Sequence, residues 1–387
     1  MAYRVSRNNA LLFGIIIAMG ACNIAAGMLV QVIPLAMDAV GASKFLIGNN
    51  TMAGQAGVFI AGIVLVWARQ HFKSHLLVMC ALVIGMLCFV GFAYTAPLYA
   101  WYALRLISGF AIAIVFTTGE SWLQANVSDA SRGRVMGAYM TSQTLAFALG
   151  PLLIGFTGFV GPVPWLFGVG AVALSIVLMS QVKVLETAHG ESAAHLWNTM
   201  RKGAFAFLCV GMVTFFEAFC LTFFTLYAVK NGFSAGSATQ LLSFGIAGCV
   251  LFFFAIGYLG DHWSHVGTIA ICSAGAVLFA LLEIPFVTTI WIWPLIVLLR
   301  ATAFGNYLGG YALLGDKFKG AEMVAASSIN SIMWGVSGMI GPPLAGLAFD
   351  RWGLGLLPWF MAACFVPVLV VLTVQRQRLT DRRHEIS

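Results

Sequence analysis

The sequence predicts an all-α membrane protein: twelve transmembrane helices in two pseudo-symmetric six-helix bundles, with both termini cytoplasmic. Three observations carry this reading. The 387 residues are 61% hydrophobic and only 9% charged, with a mean hydropathy of +0.95, whereas soluble domains run at about 45–50% apolar and about 25% charged. The apolar residues fall into twelve stretches, each long enough to cross a bilayer. The few basic residues are shared very unequally between alternate connections. Together with 31 Phe and 11 Trp, so little charge leaves no polar face for a soluble enzyme, a disordered chain or a nucleic-acid surface.

A helix crosses the roughly 30 Å hydrocarbon core in about 20 residues. The first stretch, 9–36, follows Arg4 and Arg7. It contains Met19-Gly20-Ala21-Cys22, loosely similar to a lipoprotein cleavage box, but the apolar run continues to Ala36 and is read as a retained helix. The second, 45–68, lies between Lys44 and Arg69. The third, 75–95, follows Lys73, and the fourth, 98–125, holds Arg105 and Glu120. The fifth, 134–158, starts beside Arg132 and Arg134, and the sixth, 164–182, stops at Lys183. After the longest polar connection come 203–229, 236–260 (ending at Asp261), 266–289, 291–315 (holding Arg300), 322–349 and 354–374. No stretch shows the in/out alternation of an outer-membrane barrel. The expected organisation is a bundle at 1–182, a cytoplasmic linker at 183–202, a second bundle at 203–374 and a basic tail at 375–387.

Orientation follows from the basic residues. One side collects Arg4, Arg7, Arg69, Lys73, Arg132, Arg134, Lys183, Arg201, Lys202, Lys317, Lys319, Arg376, Arg378, Arg382 and Arg383; the other holds Lys44, Lys230 and Arg351. The positive-inside rule makes the first side cytoplasmic. The net charge of +7 is therefore a topological signal and not a basic binding surface. All eight Cys fall within spans without metal-ligand spacing and read as small packing residues. No cofactor or metal is expected.

The halves are internally similar. Arg7 precedes Asn23 by 16 positions, as Arg201 precedes Glu217; Arg105 precedes Glu120 by 15, and Arg300 precedes Asp316 by 16. Gly150-Pro151-Leu152-Leu153-Ile154-Gly155 in the fifth span parallels Gly341-Pro342-Pro343-Leu344-Ala345-Gly346 in the eleventh. Duplicated halves of this kind are a transporter architecture, with the solute site near the mid-membrane.

These residues carry a resemblance to the major facilitator superfamily over essentially the whole chain. Gly257-Tyr258-Leu259-Gly260-Asp261 resembles the family's cytoplasmic loop signature. The first-half loop, Gly62 to Arg69, has Val66 where the family usually has Asp, which implies a weak or rewired charge relay in that half. Arg105-Leu106-Ile107-Ser108-Gly109 is similar to the fourth-helix Arg-x-x-x-Gly motif, Gly150-Pro151…Gly155 to the motif associated with proton antiporters, and Glu120-Ser121-Trp122-Leu123 to a branch of bacterial members.

An ionisable residue at membrane depth costs several kcal/mol and is a functional candidate by default. Glu217, Arg105 and Arg300 qualify: Arg105 lies about 10 Å and Arg300 about 14 Å from the outer face, and Glu217 about 21 Å from the inner one. Glu217, in Phe215-Phe216-Glu217-Ala218-Phe219, is the candidate proton-binding carboxylate, because an ionised group is costly in such surroundings. The alternative is a structural pair with Arg300. Arg105 takes a coupling role from the resemblance, and Arg300 a substrate role from its fixed charge and bidentate fork; a structural use, with each Arg satisfied by backbone carbonyls or Gln and Asn, is the alternative.

Asn23, Gln31, Asn306 and Asn330, with Gln143, are the candidate polar lining, against a helix–helix alternative. Glu120, Arg132, Arg134, Asp261 and Asp316 form a candidate cytoplasmic gate, or else a solvated interfacial network. Glu283 is placed near the outer end of its span, reaching water. Most of Phe215, Phe216, Phe219, Phe223 and Phe224 are expected to face lipid. All seven His lie in cytoplasmic connections or the tail, so a His relay within the membrane is excluded.

The leading expectation is a secondary active transporter for a small organic solute, monomeric, in a bacterial inner membrane. It works by alternating access with proton coupling, efflux by antiport being favoured. Uptake or exchange of an organic anion at Arg105 and Arg300 is the alternative within transport, and a solute sensor on a transporter fold is the alternative outside it. The spans hold no catalytic or metal-ligand cluster and the chain no phosphate-binding loop, so it is not read as an enzyme.

Overall fold

Inside a bilayer no water satisfies the backbone, so each crossing segment must close its own hydrogen bonds, as an α-helix does. The computed structural model describes residues 2–95, 97–127, 132–182, 196–319 and 321–386. Its first six helices are α1 (Ala2–Ala39), α2 (Lys44–His71), α3 (Ser74–Tyr94), α4 (Leu98–Asn126), α5 (Arg132–Thr157) and α6 (Val163–Ser180). A short helix, α7 (Leu196–Lys202), occupies the end of the expected linker; linker residues 183–195 lie outside the described residues. Then follow α8 (Ala204–Lys230), α9 (Ala235–His262), α10 (His265–Phe286), α11 (Ile292–Lys317), α12 (Ala321–Trp352), a 3-10 turn at Leu354–Leu356, and α13 (Leu357–Ile386).

Eleven of these helices are long and apolar enough to cross a membrane. The twelfth crossing is α11, whose 26 residues span about 39 Å at 1.5 Å per residue. Arg300 and Asn306 in its middle lower its hydropathy. Several helices outrun the expected spans, as α1 and α13 do, because hydropathy marks the bilayer whereas helical hydrogen bonding continues into water. Side-chain caps set three starts among the described residues: Ser43 Oγ accepts from the Leu46 N–H, Ser234 Oγ from the Ser237 N–H and Ser264 Oγ from the Gly267 N–H.

The chain divides into two compact units. The first comprises Met1–Gly190, Phe233–Ser243 and Pro342–Leu347; the second comprises Glu191–Gly232, Phe244–Gly341 and Ala348–Ser387. In the first unit α1 packs on α5 and α6, α2 on α4, and α3 on α4 and α6. Glycines let α1 and α5 touch backbone to backbone: a Cβ at Gly27 would lie 2.2 Å from the Phe147 carbonyl oxygen, and one at Gly150 2.4 Å from the Met28 nitrogen. The Gly150-Pro151 motif therefore sits at a helix contact. In the second unit α10 packs on α11 and α13, and α8 on α11 and α13.

The phenylalanines of α8 correct one expectation. Phe216, Phe219, Phe223 and Phe224 are buried and meet other rings edge-on or tilted, Phe216 against Phe365 and Phe223 against Phe349. They pack the second unit's interior instead of facing lipid, since α8 is covered by α11 and α13. Seven of the eight cysteines are free and buried, and Cys80 is exposed.

Candidate functional site

Glu217 and Cys220 are three residues apart and so share one face of α8. That face meets Arg300 of α11: Arg300 Nη2 donates to Glu217 Oε2 at 2.8 Å, and Nη1 to Cys220 Sγ at 3.8 Å. The two charged side chains are only 2% and 3% exposed. The pair is made through a single N–H···O contact, leaving Arg300 Nε and Glu217 Oε1 buried without hydrogen-bond partners. Gly245 on α9 makes room for it, because a Cβ there would stand 3.0 Å from Arg300 Cδ. With its guanidinium so occupied, Arg300 is an ion-pair partner in this structure.

Glu283 corrects a second expectation. It is 0% exposed and both carboxyl oxygens lack hydrogen-bond partners. It lies within electrostatic range of Arg300, Cys220 and Tyr227. Counting residues from the end of the span gives depth but not direction, and Glu283 points into the bundle. The site is thus a buried cluster of two carboxyls and one guanidinium.

The other polar candidates separate into engaged and available groups. Asn306 is engaged between α10 and α11: Oδ1 accepts from Ser273 Oγ at 2.6 Å, and Nδ2 donates to the Thr302 carbonyl at 3.0 Å. Asn330 donates to Tyr307 Oη at 3.2 Å while its Oδ1 lacks a hydrogen-bond partner. In the first unit, Asn23 donates to the Gln143 carbonyl at 2.8 Å, Gln143 Nε2 donates to the Ile16 carbonyl at 3.2 Å, and Gln31 is fully buried.

Arg105 is half-buried, its stem laid over Gly54, where a Cβ would be 2.8 Å from Nε. No hydrogen-bond or ion-pair partner reaches its guanidinium among the described residues. A small apolar cavity in the same unit, lined by Cys22, Ala26, Leu82, Phe89 and Ser108 among others, presents only the Ser108 hydroxyl, which donates to the Arg105 carbonyl at 2.9 Å.

Toward the expected cytoplasmic ends, Tyr139 Oη donates to Glu120 Oε1 at 2.9 Å, a partner that sequence spacing did not reveal. Arg69, beside Val66, donates to Thr118 Oγ1 and Ser121 Oγ at 3.2 and 3.5 Å. Asp316 is exposed and 3.6 Å from His265 Nε2, Lys202 pairs with Glu322 at 2.9 Å, and Asp261 is exposed. The side chains of Arg132 and Arg134 lie outside what the structure describes. Among the described residues, no group of three His, Cys, Asp or Glu is placed to hold a metal.

Three comparisons converge on one kind of protein. The Major Facilitator Superfamily profile matches residues 11–309. The chain is 22% identical over 368 residues to the MFS-type transporter YfkF of Bacillus subtilis strain 168, covering 91% of this chain and 92% of that one. It is 22% identical over 311 residues to the MFS-type transporter YcaD of Salmonella heidelberg, covering 79% and 78%. Among solved structures, the nucleoside transporter NupG superposes with a TM-score of 0.77 at 14% identity, over 94% of this chain and 98% of that one. A bacterial homologue of the human lysosomal transporter Spinster superposes at 0.76 with 12% identity, over 94% and 95%. At such identities the two structures establish a shared fold and no shared substrate.

Proposed function

We propose that this chain, which belongs to the major facilitator superfamily, moves a small organic solute by alternating access and couples that movement to protons. On this reading it acts as a monomer in a bacterial inner membrane, with bundles 1–182 and 203–374 joined by the 183–202 linker. Efflux by antiport is the favoured direction, from the resemblance of Gly150-Pro151…Gly155 to the proton-antiporter motif. Glu120, Arg132, Arg134, Asp261 and Asp316 serve as the cytoplasmic gate, and Asn23, Gln31 and Asn330 supply polar contacts to the solute.

The observation that supports proton coupling is the Glu217–Arg300 pair, at most 3% exposed and set in helices of membrane-spanning length. Well-packed apolar residues hold helices together at least as well as a buried ion pair does. A pair retained at that depth therefore suits a part that breaks and re-forms during the cycle. Proteoliposomes loaded with a pH-sensitive dye test this, with panels of nucleosides, organic cations and organic anions added outside. Solute-dependent proton movement that disappears in Glu217→Gln is the expected result. Full proton-driven flux in that variant refutes the coupling role of the pair, and solute binding without flux in the wild type favours a sensor.

A second reading, recognition of an organic anion, is supported by Arg105. A guanidinium cannot shed its proton, and this one has no counter-ion among the described residues, so the carboxylate or phosphate of a solute suits it. Loss of organic-anion binding in Arg105→Ala, with organic cations never recognised, would establish it.

A further inference from the structure

We propose that Glu283, and not Glu217, holds the proton of the buried cluster in the second unit, while Glu217 is the counter-ion of Arg300 in that protonated state. The proposal rests on the proton-coupled reading and names the residue that would carry the proton.

The argument starts from charge. Three groups of unit charge meet where almost no water reaches: Glu217, Glu283 and Arg300 are 2%, 0% and 2% exposed. With both carboxyls ionised the cluster would bear a net negative charge; with one protonated it is neutral. Glu217 already accepts a charge-assisted hydrogen bond from Arg300 at 2.8 Å, so protonating it would weaken the one strong polar contact in the cluster. Glu283 accepts nothing at either oxygen. An ionised carboxylate buried without a donor is the costliest state a side chain can take, whereas a neutral carboxyl costs what any unpaired polar group does.

Among the described residues, Arg300 is the cation that acts on Glu283. The titratable groups near Glu283 are Arg300 on α11, Cys220 and Tyr227 on α8, and, beside Cys220, Glu217 on α8 and Cys364 on α13; Cys249 of α9 stands near Arg300 and Glu217. Cysteine and tyrosine side chains are uncharged here and cannot neutralise a carboxylate. Arg300 Nε, however, is buried without a hydrogen-bond partner. It is a donor in reserve within electrostatic range of Glu283.

That reserve makes the cluster a two-position device. When the cluster opens to water, the O–H bond of Glu283 breaks, the proton passes to water, and the new carboxylate is neutralised by a turn of the Arg300 guanidinium toward it. Reprotonation from the other side returns Arg300 wholly to Glu217. The solute would enter while Glu283 is ionised, which ties one proton to each cycle.

Infrared spectra of the purified, detergent-solubilised protein near neutral pH, in H2O and D2O, test who holds the proton. The wild type should show the carbonyl stretch of a buried protonated carboxyl, absent from Glu283→Gln and displaced but present in Glu283→Asp. Glu120 is a second candidate for such a band, so the difference between wild type and Glu283→Gln is the deciding trace. A Glu283→Gln spectrum that keeps every protonated-carboxyl band of the wild type overturns the assignment, as does Glu283→Asp behaving like Glu283→Gln. Proton movement in proteoliposomes should fall to background in Glu283→Gln. If the band is lost but solute-driven proton flux is intact, Glu283 is a structural acid and the transport role is refuted. If the wild type itself moves no protons, the coupling reading fails, and the spectra alone then decide which carboxyl is protonated.

Discussion

Removing both carboxyls of the cluster should destabilise the protein by more than the sum of the single losses. In Glu217→Gln, Arg300 loses its 2.8 Å partner, but Glu283, which lies within its electrostatic range, should ionise in compensation, so the cost should be about 1–3 kcal/mol. Glu283→Gln replaces a neutral carboxyl by a neutral amide of the same shape, for less than about 1 kcal/mol. In the double variant the guanidinium is stranded at 2% exposure, and breaking a buried pair by removing its partners costs about 3–5 kcal/mol. Taking about 2.1 cal/mol/K of unfolding entropy per residue, about 0.8 kcal/mol/K for the chain, the double variant should melt about 4–6 °C lower and Glu283→Gln within about 1 °C of wild type. A thiol-reactive fluorophore suits the assay, because seven cysteines are buried and Cys80 alone is exposed; a Cys80→Ser background removes the prompt signal. Additivity within about 0.5 kcal/mol, or a Glu283→Gln loss as large as that of Glu217→Gln, would refute the reasoning.

Arg105→Gln should leave the melting temperature unchanged or raise it, since a cation without a partner among the described residues is removed, while solute transport in proteoliposomes is abolished. Asn306→Ala should cost about 1–3 kcal/mol, because the buried Ser273 hydroxyl loses its acceptor, with Ser273→Ala in the same background recovering part of the loss. Gly27→Val forces a side chain to within 2.2 Å of the Phe147 carbonyl, and a drop of about 1–3 kcal/mol or more is expected, read as lower yield of monodisperse protein. Tyr139→Phe frees Glu120 of its 2.9 Å donor; proteoliposome flux should fall while melting shifts by only about 1 kcal/mol.

Much of the site was legible in the sequence, for a definable reason. Glu217 and Arg300 stand out because charge is rare in apolar stretches. Their pairing was left as one of two options, since 83 positions separate them and only the packing of α8 on α11 brings them together. Arg300 and Arg105 occupy matching places in the internal repeat, yet the first is neutralised and the second is not. Repeat symmetry transmits position along a helix, whereas partners depend on what the facing helix carries: Glu217 of α8 meets Arg300, while Arg105 lies over Gly54 of α2. Glu283 was misjudged for a related reason. Three residues before the end of α10 it reads as a group able to reach water, but α10 is covered by α11 and α13.

By itself the sequence determined the class of protein, the number and order of its crossings, their orientation and the family, all of which follow from hydropathy, charge counts and local motifs. Those are properties of segments, and a bilayer reads segments one at a time. What only the tertiary structure decided is which faces of the helices meet: that the α8 phenylalanines fill an interior, that Asn306 is engaged between two helices, that Arg105 has no partner among the described residues, and that Glu283 is buried within electrostatic range of Arg300. A helix offers every residue a direction as well as a depth. Composition registers depth, and packing between distant segments sets direction.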